Sequence, residues 1–526
     1  MSQIFYFKKN YFYYFIIAYF IAGIFLSLNV GITHDEPYDY FIGEINKKNF
    51  LNKFFFQNFE IKALEGMSPY YGSGFHFFSA PFENITKLFF DLNYIVPEFR
   101  PMLLKHPSVF MFFIFSGIYF RKIIFFTTKE KNFASICAIL YLSYPYLLGH
   151  SFFNVKDIPF LSVWLICTFY IINITKNFYA KNNIKNKDLI ILSFLTAFLL
   201  SIRISGILIF IEYFIFLIFA INLSKTEYLL FIKRFYKKIS LFLFVTLFSF
   251  YTLSPSYWTN PFEIINGIKF MSQHTQTVCT VTLGECMKAQ NLPSTYLPIW
   301  LFFKLPTLII FGFIILIFNE KKFFNLKNSQ LIIAPIIVSF LSIILLLIIF
   351  KVNLYDELRQ VMFLIPLLFV IVLSAMFTLL KKASYPLIII FIIFFTFQNI
   401  KIYPYNYVWM NNFSNLIKVN NNFELDYWGV STKNIAEFFN KRKLNLNNCI
   451  ISNRNNGIKA FVNNQDICFL NFDYLHKKNK RPFYVAFVER GINKGLPNNC
   501  NNIHNETVNI NFSEEKLILA KVFKCD

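Results

Sequence analysis

Apolar residues in this chain gather into blocks of about 20, the length a bilayer demands of a helix, rather than alternating or recurring in stripes. The blocks run roughly 11–30, 107–127, 133–149, 158–175, 188–202, 206–223, 239–254, 298–318, 331–350, 361–380 and 386–400. Backbone inside lipid must satisfy its own hydrogen bonds as helices or a closed barrel, and uninterrupted blocks argue for helices. The pattern therefore predicts an α-helical polytopic membrane protein with about 11 transmembrane helices.

The polar remainder divides unevenly. Long stretches follow the first block, Gly31 to Lys105, and separate the seventh and eighth, Pro255 to Leu297. From about Lys401 to Asp526 the chain turns Asn-rich and broken by turns. Within it Asn448–Ser452, Ile467–Asn471, Pro482–Val488 and Leu517–Val522 read as short strands, and Ser431–Arg442 reads as a helix capped near Ser431 or Thr432. The expected domains are a membrane domain over 1–400, with outer loops 31–105 and 255–297, and a small soluble α/β domain over 401–526. No internal repeat is visible.

Charge sets the orientation. Lys8/Lys9, Arg121/Lys122/Lys129/Lys131, Lys176/Lys181/Lys185/Lys187, Lys233/Arg234/Lys237/Lys238, Lys321/Lys322/Lys327 and Lys381/Lys382 fall on one side if every block spans. Short cationic loops stay cytoplasmic, so the N-terminus is expected inside and the C-terminal domain outside, in the periplasm of a bacterial inner membrane. The block Tyr11 to Leu28 follows two lysines as a signal peptide would, but no small-residue cleavage site follows it, and it reads as an uncleaved first span. The net charge of +22 would suit nucleic acid if it were gathered on one surface. Its dispersal among the loops excludes that partner. The 73 Phe accompany abundant Ile, Asn and Lys, the bias of an AT-rich genome, and need no aromatic-binding explanation. Cys449, Cys468, Cys500 and Cys525 lie in the tail, and Cys279 and Cys286 share an outer loop. An oxidising exterior permits disulfides there; connectivity stays open, and free thiols are the alternative.

Ionisable residues crowd the outer side. Directly after the first span stands Thr33-His34-Asp35-Glu36-Pro37-Tyr38-Asp39-Tyr40. Asp35 suits a carboxylate that steers or deprotonates an acceptor at the membrane face; a solvated loop start is the plain alternative. His34, Asp35, Glu36 and Asp39 could also hold a divalent cation, though the set lacks a diagnostic spacing, and no other cofactor is expected. In the next outer loop, Gly149-His150-Ser151 leads to Asn154-Val155-Lys156-Asp157-Ile158-Pro159. Lys156 could meet a phosphate, while Asp157 before Ile158-Pro159 reads equally as a helix cap. Arg203, in a tight outer turn, suits lipid headgroups or a bidentate phosphate contact. Tyr355-Asp356-Glu357-Leu358-Arg359-Gln360 reads as a polar hairpin. Glu212 alone falls within a span, where a carboxylate is costly and usually paired.

At these residues a family resemblance emerges. Asp35-Glu36 after the first span resembles the first-loop motif of GT-C fold glycosyltransferases, which include protein O-mannosyltransferases (glycosyltransferase family 39) and the aminoarabinose transferase acting on lipid A. Further segments are similar to a bacterial branch of that group: Gly149-His150-Ser151 with Asn154, Lys156-Asp157 and Pro159-Phe160; Ser201 to Gly206; Tyr257-Trp258 with Asn260-Pro261; Leu292-Pro293 with Tyr296 and Pro298; Leu358-Arg359 with Phe363 and Pro366; and Phe423-Glu424 with Asp426-Tyr427-Trp428-Gly429 and Ser431. The resemblance implies a polyprenyl-phosphate-sugar donor, an outward-facing site, and inversion by direct displacement. It makes Asp35 the catalytic carboxylate with Glu36 and Asp157 beside it, places Lys156, Arg203 and Arg359 at the donor phosphate, and leaves His34, His150 and Asn154 in support. The sequence departs from related ones at Gln360, where a His is common, and at Val155, where a Pro is common; the Gln removes any proton transfer at 360.

The expected function is lipid-carrier-dependent glycosyl transfer in the cell envelope, to a lipid, glycan or protein acceptor. The alternatives are a non-catalytic lipid- or glycan-binding membrane protein and a transporter; a transporter would place its functional polar residues at mid-membrane.

Overall fold

The computed structural model describes residues 11–60, 64–66, 68–273, 280–442, 448–470, 483–488, 496, 499–511 and 513–525. Lys8, Lys9, Cys279, Asn471 and Pro482, which entered the expectations above, lie outside these. Every apolar block is helical. Among the described residues seven helices are long and apolar enough to cross a membrane, or nine if two bent pairs each form one span, against the eleven expected. The other two blocks are Asn186–Ile202, only 17 residues long, and the second half of the 44-residue stretch Arg359–Ile402. Lys381, at φ 50°, interrupts that stretch.

Proline explains the bent pairs. It lacks an N–H and pushes the residue before it out of the helical region. Tyr144 before Pro145 and Leu305 before Pro306 are accordingly extended, and the chain turns by 65° and 111° there. The blocks read as 133–149 and 298–318 are therefore each two helices meeting at an angle.

Within the bundle, Asp157–Lys181 is central, packing on Arg100–Thr128, Asn186–Ile202 and Ile209–Leu223. Tyr228–Leu253 lies at the margin and leaves Phe244, Leu247 and Phe248 about two-thirds exposed, a flank fit for lipid. Glu212 is fully buried and accepts a hydrogen bond from Trp164 Nε1 on the neighbouring helix at 2.8 Å, which satisfies part of its burial cost.

The stretch 31–105 is folded: Glu36–Phe55 and Gly74–Phe89 are helices. The second long stretch forms a helix, Glu263–Ser272, and a hairpin of β1 (Thr280–Thr282) and β2 (Glu285–Met287), turned by Leu283 and Gly284 at positive φ. Beyond the last long helix the chain folds back, burying Tyr407, Trp409 and Trp428 against the bundle, before the C-terminal sheet begins.

That sheet contains β3 (Cys449–Ser452), β4 (Cys468–Leu470), β5 (Phe483–Val488), β6 (Cys500–Val508) and β7 (Leu517–Cys525), in the order β4-β3-β5-β7-β6. The first two pairings are parallel and the last two antiparallel. Disulfides Cys449–Cys468 and Cys500–Cys525 join directly opposed residues of neighbouring strands. Cys286 is also disulfide-bonded, while Cys137 and Cys167 are buried free thiols. Asn511 docks the sheet on the bundle: its N–H donates to Gln398 Oε1 at 2.8 Å and its amide to Met410 O at 3.0 Å.

Candidate active site

The ends of four helical segments meet through their charged side chains. Asp35 precedes the helix Glu36–Phe55, Asp157 opens Asp157–Lys181, Arg203 ends Asn186–Ile202, and Arg359 opens the stretch 359–402. Arg359 is the hub. Its Nη2 lies 3.2 Å from Asp35 Oδ2, its Nη1 2.9 Å from Asp356 Oδ2, and its Nε 3.7 Å from Asp157 Oδ2. The guanidinium lies over the Trp428 ring at 4.3 Å, an arrangement its planar, weakly hydrated charge favours.

The other cations are held by carboxylates of the same group. Arg203 pairs with Asp157 Oδ1, so it turns inward rather than out to lipid. Lys156 pairs with Asp39 Oδ1 and lies 4.1 Å from the Tyr71 ring. Lys156 and Arg203 keep 14% and 20% of their side chains exposed, against 8% for Arg359. Asp35 keeps 31%, making it the open carboxylate of the cluster.

Asp157 does not cap its helix. Asn154 does: its Oδ1 accepts the Asp157 N–H at 2.8 Å while its amide donates to Asp157 Oδ2 at 3.0 Å. Asn154 also contacts His150 Nδ1 at 3.2 Å. His150 lies behind the cluster, its ring 4.8 Å from that of Tyr146.

Glu36 points elsewhere. Its Oε1 accepts from the Thr33 N–H and hydroxyl at 3.0 and 2.7 Å, and its Oε2 lies 3.0 Å from the buried His106 Nε2. The backbone N–H of His34 donates to Trp428 O at 3.0 Å, tying the first loop to the segment that carries the tryptophan. With Glu36 turned to His106 and Asp39 to Lys156, the four acidic-loop groups do not converge on one point. Among the described residues no grouping of three or more His, Cys, Asp or Glu is arranged for a metal ion.

The Trp428 platform is built by Asp426. Its carboxylate accepts the N–H groups of Gly429, Val430 and Ser431 at 2.8–2.9 Å and the Tyr407 hydroxyl. Gly429 sits at φ +78°, where an added Cβ would also press on Arg454, so this turn requires glycine.

Electrostatics separate Asp35 from Asp39. Burial pushes Asp35 up, but Arg359, Lys156 and His34 outweigh it and hold the carboxyl at about 2. Asp39 lies one helical turn on, where burial wins over Lys156, the Asp35 charge adds to it, and the carboxyl rises to about 6.

Lys304 was not singled out from the sequence, because it lies inside an apolar block. It is fully buried, 3.0 Å from Glu357 Oε2, and donates to Tyr407 O at 3.2 Å. Burial pushes Glu357 up to about 7 against the pull of Lys304.

Known proteins offer limited company. No protein-family model matches the chain, and no curated protein matches it significantly. Two crystal structures are similar across 98% of both chains: ArnT from Cupriavidus metallidurans in the apo state, at 11% identity and a TM-score of 0.48, and the same protein bound to undecaprenyl phosphate, at 12% and 0.45. Superpositions this loose transfer no residue role and no activity.

Proposed function

We propose that this protein transfers a glycosyl group from a polyprenyl-phosphate donor to an acceptor at the outer face of a membrane. One observation carries the reading: a partly exposed, ionised carboxylate, Asp35, belongs to one ion-pair cluster at the helix ends with Lys156, Arg203 and Arg359. In such a displacement the acceptor's lone pair forms the new bond to the anomeric carbon. The bond to the phosphate oxygen breaks with its electron pair, and the acceptor's proton passes to water or to the departing phosphate.

Asp35 is suited to steer the nucleophile into line and to stabilise its developing positive charge. A carboxyl held near 2 is a weak base, so positioning and electrostatics dominate its part. Lys156 and Arg203, the more exposed cations, are suited to the departing phosphate, with Arg359 bridging phosphate and Asp35. Glu36 contributes by holding the start of the helix that presents Asp35.

Labelled-sugar transfer from a mixed polyprenyl-phosphate-sugar pool, in membranes carrying wild type or Asp35→Ala at equal levels, tests the reading. Transfer by wild type that vanishes in the variant supports it. Transfer that survives moves the catalytic carboxylate to Asp157. No transfer by either protein, from a pool active with a control enzyme, overturns it.

A further inference from the structure

Asp356 and Glu357, immediately before Leu358-Arg359, are consecutive residues at φ +56° and +62°. An aspartate tolerates the left-handed region, but a glutamate gains nothing from it, and two in succession persist only where the surroundings hold them. The surroundings here are unusual. Lys304 and Glu357 form an ion pair with neither side chain exposed. Lys304 closes the helix Tyr296–Lys304 just before the 111° bend, its carbonyl accepts the Tyr144 hydroxyl at 2.6 Å, and its ammonium reaches Tyr407 O. Tyr296 donates to the Glu357 carbonyl at 3.3 Å, and the Asp356 N–H donates to Thr280 Oγ1 at 3.2 Å.

These contacts hold one short turn through three residues, Lys304, Tyr296 and Thr280. The turn leads into Arg359, whose N–H donates back to Asp356 O at 3.4 Å and whose Nη1 bonds the Asp356 carboxylate. A buried ion pair is a poor source of stability, since a well-packed apolar pair of similar volume does as well or better. Its use must lie in what it fixes.

We propose that Lys304 and Glu357 are positioning residues, a buried pair that locks the left-handed Asp356–Glu357 turn and thereby sets the Arg359 guanidinium against Asp35 and the donor phosphate. The proposal rests on the glycosyl-transfer reading only for the identity of the phosphate. Neither residue touches substrate: the pair acts through the turn, the turn through Arg359. The locked turn lets Arg359 serve three carboxylates at once without drifting toward any one of them.

The test uses full-length protein in detergent and, as probe, a short prenyl methyl phosphodiester, which carries a single negative charge at neutral pH. Its binding is followed calorimetrically, because a dissociation constant does not depend on how much protein is folded. The double variant Lys304→Met/Glu357→Met keeps the volume and removes both charges. It is expected to unfold near the wild-type temperature yet bind the probe at least 10-fold more weakly, while Lys304→Arg, which keeps the charge, stays within threefold of wild type. In the transfer assay the same double variant is expected to raise the donor KM with the acceptor KM unchanged. Should the double variant fail to fold, Glu357→Gln, which keeps shape and a hydrogen bond, is expected to weaken binding at least threefold. Wild-type affinity in either folded variant overturns the positioning role alone. A wild type that binds no phosphodiester overturns the phosphate reading of the cluster and this inference with it.

Discussion

Asp35 and Glu36 are consecutive acidic residues that end in opposite surroundings. Asp35 joins a cluster of cations, partly exposed and ionised, while Glu36 is sealed against His106 and Thr33. Successive residues at a helix start point about 100° apart, so a cluster of cations on one side and a packed wall on the other receive them separately. The difference teaches that in this loop, charge alone does not mark chemistry. The knot around Glu36 fixes where the helix starts, and Asp35 is the carboxylate of the cluster that stays partly open.

The comparison can be broken or sharpened by four changes. Asp35→Asn keeps the shape and removes the charge, and is expected to lower labelled-sugar transfer about 10³-fold, or roughly 4 kcal/mol of transition-state stabilisation. Transfer within tenfold of wild type would erase the distinction between the two carboxylates. His106→Asn acts on the other side: it strands a buried Glu36 and is expected to cost about 3 kcal/mol of stability. A lowered unfolding temperature, with transfer per folded molecule within about threefold of wild type, is the pattern that keeps the knot structural.

Asp39 sits one turn beyond Asp35, between the two regions. Its carboxyl is raised in the folded state, so its contribution to stability is full below the ordinary carboxylate value near 4 and is lost as pH rises through about 6. Wild type is therefore expected to lose on the order of 2–3 kcal/mol relative to Asp39→Asn between pH 4 and 7. Unfolding scans of both proteins across that range check it; parallel curves would place the charge of Asp39 in a solvated setting. The smallest effect is expected from Arg359→Lys. It keeps the charge but loses the planar fork that reaches Asp35 and Asp356 together, and should lower transfer about 10- to 30-fold, or roughly 1.5–2 kcal/mol.

The sequence by itself determined the membrane helices and the C-terminal sheet. Their signals are local: blocks of apolar residues for the bilayer, and short apolar runs between turns in the tail. Four of the five strands of the sheet and the helix that ends at Arg442 fall where the pattern placed them. The missed strand, Cys500–Val508, is polar and edge-exposed, so burial left no mark on it. Broken helices were misread because an apolar block has the same composition straight or bent, and only Pro145 and Pro306 hinted otherwise. The candidate site was legible as a set of residue types flanking the apolar blocks, Asp35, Lys156, Asp157, Arg203 and Arg359.

What only the tertiary structure decided is who faces whom. Arg359 meets Asp35 across 324 positions, and Arg203 meets Asp157 across 46. Glu36 turns to His106, Asn154 takes the capping role that Asp157 was suited to, and Lys304 finds Glu357 from within an apolar block. Hydrophobic pattern is written residue by residue along the chain, because each side chain answers to water or lipid on its own. Charge pairing is a property of two distant residues, and it exists only once packing has brought their helix ends together.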